Sequence, residues 1–173
     1  LGQTLVGFGL FFIGIGVLKD AFDGVMQTFS VSQFSADGLT GIFVYLLIGI
    51  VITVLTQSSS ASIAITITAA ASGLIELYSA GAMVIGANIG TTSTAAFAAI
   101  GATSAAKRAA AAQVIFNLGT AAIALLILPL LFYFIDVISN ALALTADPAL
   151  SLALFHTIFN FMGLLLVYPF IGK

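Results

Sequence analysis

Charge is nearly absent from this chain, and what there is falls at ten positions: Lys19, Asp20, Asp23, Asp37, Glu76, Lys107, Arg108, Asp136, Asp147 and Lys173. No charge interrupts residues 38–75, 77–106, 109–135 or 148–172. A helix that crosses a bilayer needs about 20 consecutive apolar residues, and each of these stretches exceeds that. Hydrocarbon offers the backbone no hydrogen-bond partners, so segments this long must satisfy their own N–H and C=O groups as helices. Only 6% of the 173 residues are charged, against about 25% in soluble domains. The mean hydropathy of +1.26 points the same way, and a water-soluble fold is excluded. The expected fold class is all-α: a polytopic helical protein of the cell membrane, a single transmembrane domain over residues 1–173, multi-pass and surrounded by the lipid bilayer. The formal net charge of −2 comes from loop positions, which leaves no basic surface for nucleic acid. Cysteine is absent, so the redox compartment is not legible. The chain opens on Leu1, without a basic leader or a small-residue cleavage site. It is therefore expected to be a segment of something longer, or a processed product, rather than to begin with a signal peptide.

Polar punctuation divides the apolar stretches. Residues 1–18 carry glycines at 2, 9 and 16 and at 7 and 14, two small-residue stripes expected of a helix packed inside a bundle. Residues 19–37 mix charge, Ser, Gln and Gly, and predict an interfacial helix or loop. Gln57-Ser58-Ser59-Ser60 interrupts residues 38–75 near the middle, which suits a re-entrant helical hairpin over 38–75 better than one long helix. Gly86-Ala87-Asn88-Ile89-Gly90-Thr91-Thr92 interrupts residues 77–106 in the same way and predicts a discontinuous spanning helix. Residues 109–135 form the longest clean helical run, with Thr103 or Ser104 as its cap and Pro129 allowing a kink. Asp147-Pro148 pairs an N-cap residue with a proline at the first helical position, so the last helix starts there and is expected to run to about Ile171.

The charges also bear on topology. With a hairpin that returns to its own side, Lys107, Arg108 and Lys173 share one face (+3) and all other charges share the opposite face (−5). A stretch that crossed once would erase most of that asymmetry. The positive-inside rule thus favours the hairpin, with Lys107 and Arg108 cytoplasmic.

The two interruptions carry the chemistry. Hydroxyls, amides and free backbone groups are expensive in hydrocarbon. If the second hairpin arm starts near Ser59, its first N–H groups and positive dipole end point at the tip and suit an anion. The Gln57 amide and the hydroxyls of Ser58, Ser59 and Ser60 add donors without adding charge. The bland alternative is back-bonding of each hydroxyl to a carbonyl four residues earlier. At the second interruption, a half-helix presents carbonyl oxygens while Asn88, Thr91, Thr92 and Thr94 supply more, a chemistry suited to Na⁺. A plain Gly86-x-x-x-Gly90 packing contact would explain the glycines but not Asn88 or the threonines. No Lys, Arg or Glu lies near either cluster in sequence. An anion bound here is balanced by helix ends and by cations arriving with it, so each ligand favours the other.

Gln57-Ser58-Ser59-Ser60-Ala61 followed by Gly86-Ala87-Asn88-Ile89-Gly90-Thr91-Thr92 resembles the signature of the type II sodium-dependent phosphate cotransporters. Gly9-Leu10-Phe11-Phe12-Ile13-Gly14 resembles the helix that opens that family's second repeat. Lys107-Arg108-Ala109, Phe116-Asn117 and Phe155-His156-Thr157-Ile158-Phe159-Asn160, with Pro169, resemble the repeat's later half. The resemblance implies one unit of a two-fold inverted repeat, each unit with its own Gln-Ser-Ser-Ser cluster and phosphate bound where the two meet. It implies half a site for inorganic phosphate at Gln57, Ser58, Ser59 and Ser60, and Na⁺ as coupling ion at Gln57, Ser58, Asn88, Thr91, Thr92 and Thr94. No other cofactor and no transition metal is expected. One Gln-Ser-Ser-Ser copy is present, so the partner is a second repeat in the same longer polypeptide or a second copy of this chain.

His156, the lone histidine, sits inside the last helix, where proton coupling competes with a plain hydrogen bond to a neighbour. Asn117 and Asn160 are expected to bond each other or broken backbone. Glu76 is read as a solvated loop carboxylate. No catalytic triad, paired carboxylates or nucleotide-type glycine loop is present, so an enzyme is not expected. The function expected is sodium-coupled phosphate symport. The alternatives are a passive oligomeric channel, a non-transporting membrane module, and a symporter of another small anion.

Overall fold

The computed structural model describes residues 1–28, 38–142, 144 and 147–170. Those residues form eight α-helices in chain order: α1 (Gly2–Thr28), α2 (Gly38–Thr56), α3 (Ser59–Ala71), α4 (Leu77–Gly90), α5 (Thr92–Ala98), α6 (Ser104–Leu126), α7 (Leu128–Ala141) and α8 (Pro148–Val167). Four of them, α1, α2, α6 and α8, are long and apolar enough to cross a membrane.

Local chemistry sets the boundaries. Asp147 accepts a hydrogen bond from Ala149 N (3.1 Å) at the start of α8, with Pro148 in its first turn. Thr103, not Ser104, caps α6, its hydroxyl accepting from Ala106 N (3.4 Å). At Pro129 the expected kink is a full interruption: Ile127 leaves helical geometry (φ −106°, ψ 15°) and α6 and α7 are separate helices. Proline lacks the N–H that would bond back one turn, and its ring crowds that turn. The last helix stops at Val167, and a 3₁₀ turn over Tyr168–Phe170 follows; Ile171 lies outside the described residues. So do residues 29–37 and Lys173, which belong to the expected interfacial segment and to the charge count. Lys19, Asp20 and Asp23 ride on the continuation of α1.

The chain reverses at Gln57-Ser58, as expected of a hairpin. Its geometry is read from α2 against α4. A Cβ on Gly49 would meet Met83 O at 2.1 Å, one on Gly86 would meet Leu46 O at 2.1 Å, and one on Gly90 would meet Thr53 Cβ at 2.7 Å. Residue numbers rise together on both helices, so α2 and α4 run parallel with their backbones in contact, and α3 must run back alongside them. Three glycines make this approach possible, because helices associate in lipid through close packing rather than through exclusion of water. The glycines at 86 and 90 thus serve as packing surfaces and do not unwind the chain. Thr91, between α4 and α5, keeps right-handed helical dihedrals (φ −58°, ψ −26°). The expected broken helix is accordingly two pieces of 14 and 7 residues, each below spanning length, whereas the first hairpin arm, at 19 residues, reaches it.

Helix α4 is the centre of the molecule, buried continuously from Ser79 to Ala87. Around it pack α2, α3, α6, α7 and α8. Phe132 of α7 stacks on Phe155 of α8 (5.0 Å, 6° between planes), and Phe155 on Phe159 (6.2 Å). These rings close the bundle against Val84 and Ile85. The packed first helix expected from the glycine stripes is not found. In α1, Gly2, Gly7, Gly9, Gly14 and Gly16 each face open space within 4 Å, and none of its apolar span is buried within the chain. Among the described residues, the glycines of the stripes meet no neighbouring helix, although α1 does touch α3.

Valine at Gly49 or at Gly86 is expected to lower the thermal stability of detergent-purified protein by about 3 kcal/mol, the upper part of the range for overpacking. Gly119→Ala, at a position with nothing within 4 Å, is expected to match the wild type in the same melt.

Candidate functional site

The parallel contact of α2 with α4 brings the two interruptions to one level. The chain leaves α2 through Gln57, whose φ of 52° is the one positive value at a non-glycine position among the described residues. An L-residue in this left-handed region costs about 1 kcal/mol, and such strain persists only where surrounding contacts hold it. Here the Gln57 side chain supplies them. Its Nε2 donates to Val54 O and to Ser93 Oγ (3.5 Å), and its Oε1 accepts from Thr94 Oγ1 (3.1 Å). One amide therefore ties the hairpin tip to the first turn of α5.

Ser58 is the N-cap of α3: it is extended (φ −145°, ψ 104°) and its Oγ accepts from Ala61 N (3.2 Å). Thr56 bridges the turn, donating to Ile52 O (2.8 Å) and accepting from Ser58 N (3.3 Å). The backbone N–H groups of Ser59 and Ser60 open α3 and have no carbonyl within their own helix to donate to. With the positive end of the helix dipole they make this spot favourable for an anion. At the opposite end of the turn, the last carbonyls of α2 present the negative end of their helix.

A cavity of about 490 Å³ lies over the tip, lined by Thr53, Gln57, Ser58, Ser59, Ser60, Thr91, Thr94, Ala95, Ala98 and Gln113. Every lining side chain is uncharged. Of the expected site residues, Gln57, Ser58, Ser59, Ser60, Thr91 and Thr94 come together here. Asn88 and Thr92 do not reach the cavity. Thr92 donates to Ile89 O (2.7 Å), and the Asn88 carbonyl accepts from Asn117 Nδ2 (3.0 Å). Thr91 also donates within its own helix, to Ala87 O (3.0 Å). That is the back-bonding weighed above for the tip hydroxyls, here at the second interruption, although a hydroxyl that donates keeps lone pairs for a cation.

Asn117 binds broken backbone, as one of its two expected readings had it. It meets Asn88 where the helical ladder changes spacing, between Thr91 N to Ala87 O (3.1 Å) and Thr94 N to Thr91 O (3.3 Å). Asn160 instead donates to His156 O in its own helix (2.7 Å). Two polar lining residues escaped the sequence reading, besides Ala95 and Ala98. Thr53 sits one turn before Gln57, and Gln113 one turn before Asn117 on α6. The signal for Gln113 was periodicity: a lone amide after Ala109–Ala112, four residues before an asparagine that faces the same break.

The sequence profile of the Na⁺/Pi-cotransporter family matches residues 26–168. The chain belongs to that family. It is a family of transporters and not of enzymes, and this member is a multi-pass protein of the cell membrane. The chain is similar to YqeW of Bacillus subtilis, 34% identical over 98% of this chain and 53% of YqeW. It is similar to YjbB of Escherichia coli, to which inorganic phosphate export has been provisionally assigned, 28% identical over 99% of this chain and 30% of YjbB. It is also similar to the human sodium-dependent phosphate transport protein 2B, 38% identical over 52% of this chain and 13% of that protein. The chain thus spans about half the length of YqeW and less of the others. No solved structure matches it.

Two substitutions test the geometry. Asn117→Leu strands the Asn88 carbonyl and is expected to lower stability by about 1–3 kcal/mol, the range for an unsatisfied buried group. Gln57→Gly and Gln57→Ala both cut the link to α5, but the glycine variant is expected to melt later, by about 1 kcal/mol of relieved strain. Both are read by thermal melts in detergent.

Proposed function

We propose that this chain forms one half of a sodium-coupled symporter of inorganic phosphate, with the cavity over the hairpin tip as its share of the site. The observation that carries the reading is the uncharged cavity into which the start of α3 and the first turn of α5 both open. Phosphate bound there takes donors from the Ser59 and Ser60 backbone and from the hydroxyls of Ser58, Ser59 and Ser60. Na⁺ takes oxygens from Gln57, Ser58, Thr91 and Thr94, while Asn88 and Thr92 lie behind them in the same break. With no fixed cation in the lining, an anion alone would leave uncompensated charge in a low dielectric. Na⁺ supplies that compensation, and binding of either ligand raises affinity for the other by the same factor. A coupling of about 1–3 kcal/mol is typical of such linkage.

The hairpin α2–α3 and the break α4–α5 are the moving parts, and the ring-packed α6–α8 bundle is the scaffold. The hairpin is re-entrant in this reading, with Lys107 and Arg108 cytoplasmic. The cavity is open to the outside of this chain rather than enclosed by it. A second repeat, from the same longer polypeptide or from a second copy, closes it and completes the phosphate shell. The length of the relatives supports the first source, as do the names of the human and Escherichia coli proteins for the substrate.

Radiolabelled phosphate is offered to proteoliposomes holding only this chain, with and without an inward Na⁺ gradient. Uptake that requires Na⁺ and vanishes in Ser58→Ala/Ser59→Ala is the result expected if two copies complete the site. If the second repeat must come from elsewhere, uptake is absent, but Na⁺-dependent phosphate binding survives in the wild type and is lost in the double variant. Flux that ignores Na⁺ would point to a passive channel and overturn the reading.

A further inference from the structure

Two hydroxyls beneath the hairpin tip are out of keeping with the rest of the molecule. Among the described residues, Thr53 Oγ1 and Ser62 Oγ are the buried side-chain atoms with no hydrogen-bond partner. Thr53 is 2% exposed and Ser62 fully buried. Elsewhere a helical threonine resolves this by bonding to its own backbone. Thr56, Thr66, Thr68, Thr91, Thr120 and Thr157 each donate to the carbonyl four residues earlier. Thr53 forgoes that bond, although it sits within the last turn of a regular helix.

The two residues are related by the fold. Thr53 precedes Gln57 by four positions on α2, and Ser62 follows Ser58 by four on α3. Because α2 runs up to the turn and α3 runs back down from it, both lie about 6 Å, or one helical turn, below the tip. Thr53 also lines the floor of the cavity and is pressed against Gly90 of α4. The neighbouring carbonyls at the end of α2, beginning with Thr53 O, have no N–H of their own helix to accept from, and they carry its negative dipole end. The Val54 carbonyl is taken by Gln57 Nε2. Buried hydroxyl oxygens beside the carbonyl end of a helix, with no carboxylate among them, are donors suited to a hard monovalent cation.

We propose that Thr53 and Ser62 hold a dehydrated Na⁺ beneath the hairpin tip, at a position separate from the oxygens of Gln57, Thr91 and Thr94. The inference rests on reading the tip as a coupled anion and cation site, and assigns it a second, deeper cation. An ion there sits under the start of α3 and braces the turn that presents the Ser59 and Ser60 N–H groups. Its removal loosens that turn without touching any group that contacts phosphate.

The test is the melting temperature of the purified full chain titrated with NaCl against choline chloride at constant ionic strength, then with inorganic phosphate at saturating Na⁺. The wild type is expected to show a saturable Na⁺-specific rise. Thr53→Val and Ser62→Ala are expected to need at least about tenfold more Na⁺ for the same rise, the loss that even an outer partner causes at a metal site. In choline both variants are expected to melt at or above the wild type, since each removes a stranded hydroxyl without removing a contact. Thr53→Ser, which keeps the hydroxyl, is expected to retain the wild-type response. Wild-type Na⁺ dependence in Thr53→Val and Ser62→Ala would overturn the proposal and assign the two hydroxyls to ordered water or plain packing; so would equal destabilisation of both variants in choline, or a wild type indifferent to Na⁺. The phosphate arm separates this from the functional reading. Loss of the phosphate response in Ser58→Ala/Ser59→Ala, with Thr53→Val unaffected toward Na⁺, sinks the deeper site and leaves the phosphate site standing. The reverse pattern keeps the cation and removes phosphate.

Discussion

Backbone contact between α2 and α4 is the constraint on which everything else depends. Gly49, Gly86 and Gly90 let two parallel helices approach until a single added methyl would collide with a carbonyl. Lipid tails are as apolar as leucine, so the helices gain nothing by hiding from water and must gain by dispersion at close range. This approach fixes the depth of the hairpin tip relative to the end of α4, and so decides that Gln57 meets Ser93 and Thr94 rather than lipid. The aromatic stack of Phe132, Phe155 and Phe159 then holds α7 and α8 behind α4, so that the fixed side of the bundle has only one way to close.

The turn gathers two helix ends of opposite polarity into one small volume. The last carbonyls of α2 form the negative end, and the first N–H groups of α3, capped by Ser58, form the positive end. A helix terminus acts as roughly half an elementary charge, and a neighbouring pair of opposite ends needs no ionised side chain to attract ions of both signs. A cavity lined wholly by neutral groups can thus be stable without a ligand and still offer the potential for ions that the proposed function needs. A buried Arg or Asp would carry a desolvation penalty in the empty state; helix ends carry a much smaller one. The strain of Gln57 fits the same logic, since its left-handed backbone turns the chain sharply enough to set both ends side by side.

Under the proposed function, the neutral lining would make coupling between ligands a physical necessity rather than an added feature. A bound anion raises affinity for a nearby cation by the work saved in bringing opposite charges together, and thermodynamic linkage makes the effect reciprocal. Movement requires a segment held less firmly than its frame. The hairpin tip and α5 meet through three side chains, Gln57, Ser93 and Thr94, whereas α4 is enclosed along most of its length.

Sequence alone was enough for the class of fold and for which polar segments stand out. Uncharged stretches longer than a bilayer is thick leave helices as the sole solution, and Gln57 to Ser60 and Gly86 to Thr94 stand out because polar groups in hydrocarbon are too expensive to be incidental. The caps at Thr103 and Asp147 were equally legible, because capping is local. What the glycines do was not. Gly86 and Gly90 can unwind a helix or admit a neighbour, and only the presence of α2 against them selects the second. The same holds for Asn88 and Thr92, whose oxygens suit a cation by type but do not line the cavity once α4 is packed. The stripes on α1 are the opposite case, since a surface made for contact is legible without the partner that would use it. Thr53 and Gln113 became site residues through tertiary structure alone, because each is an ordinary polar residue in an apolar helix until the parallel contact and the Asn117 bond bring it over the tip. Local energetics are written in neighbouring residues, whereas convergence depends on which helices touch, and that is decided by packing between segments far apart in the chain.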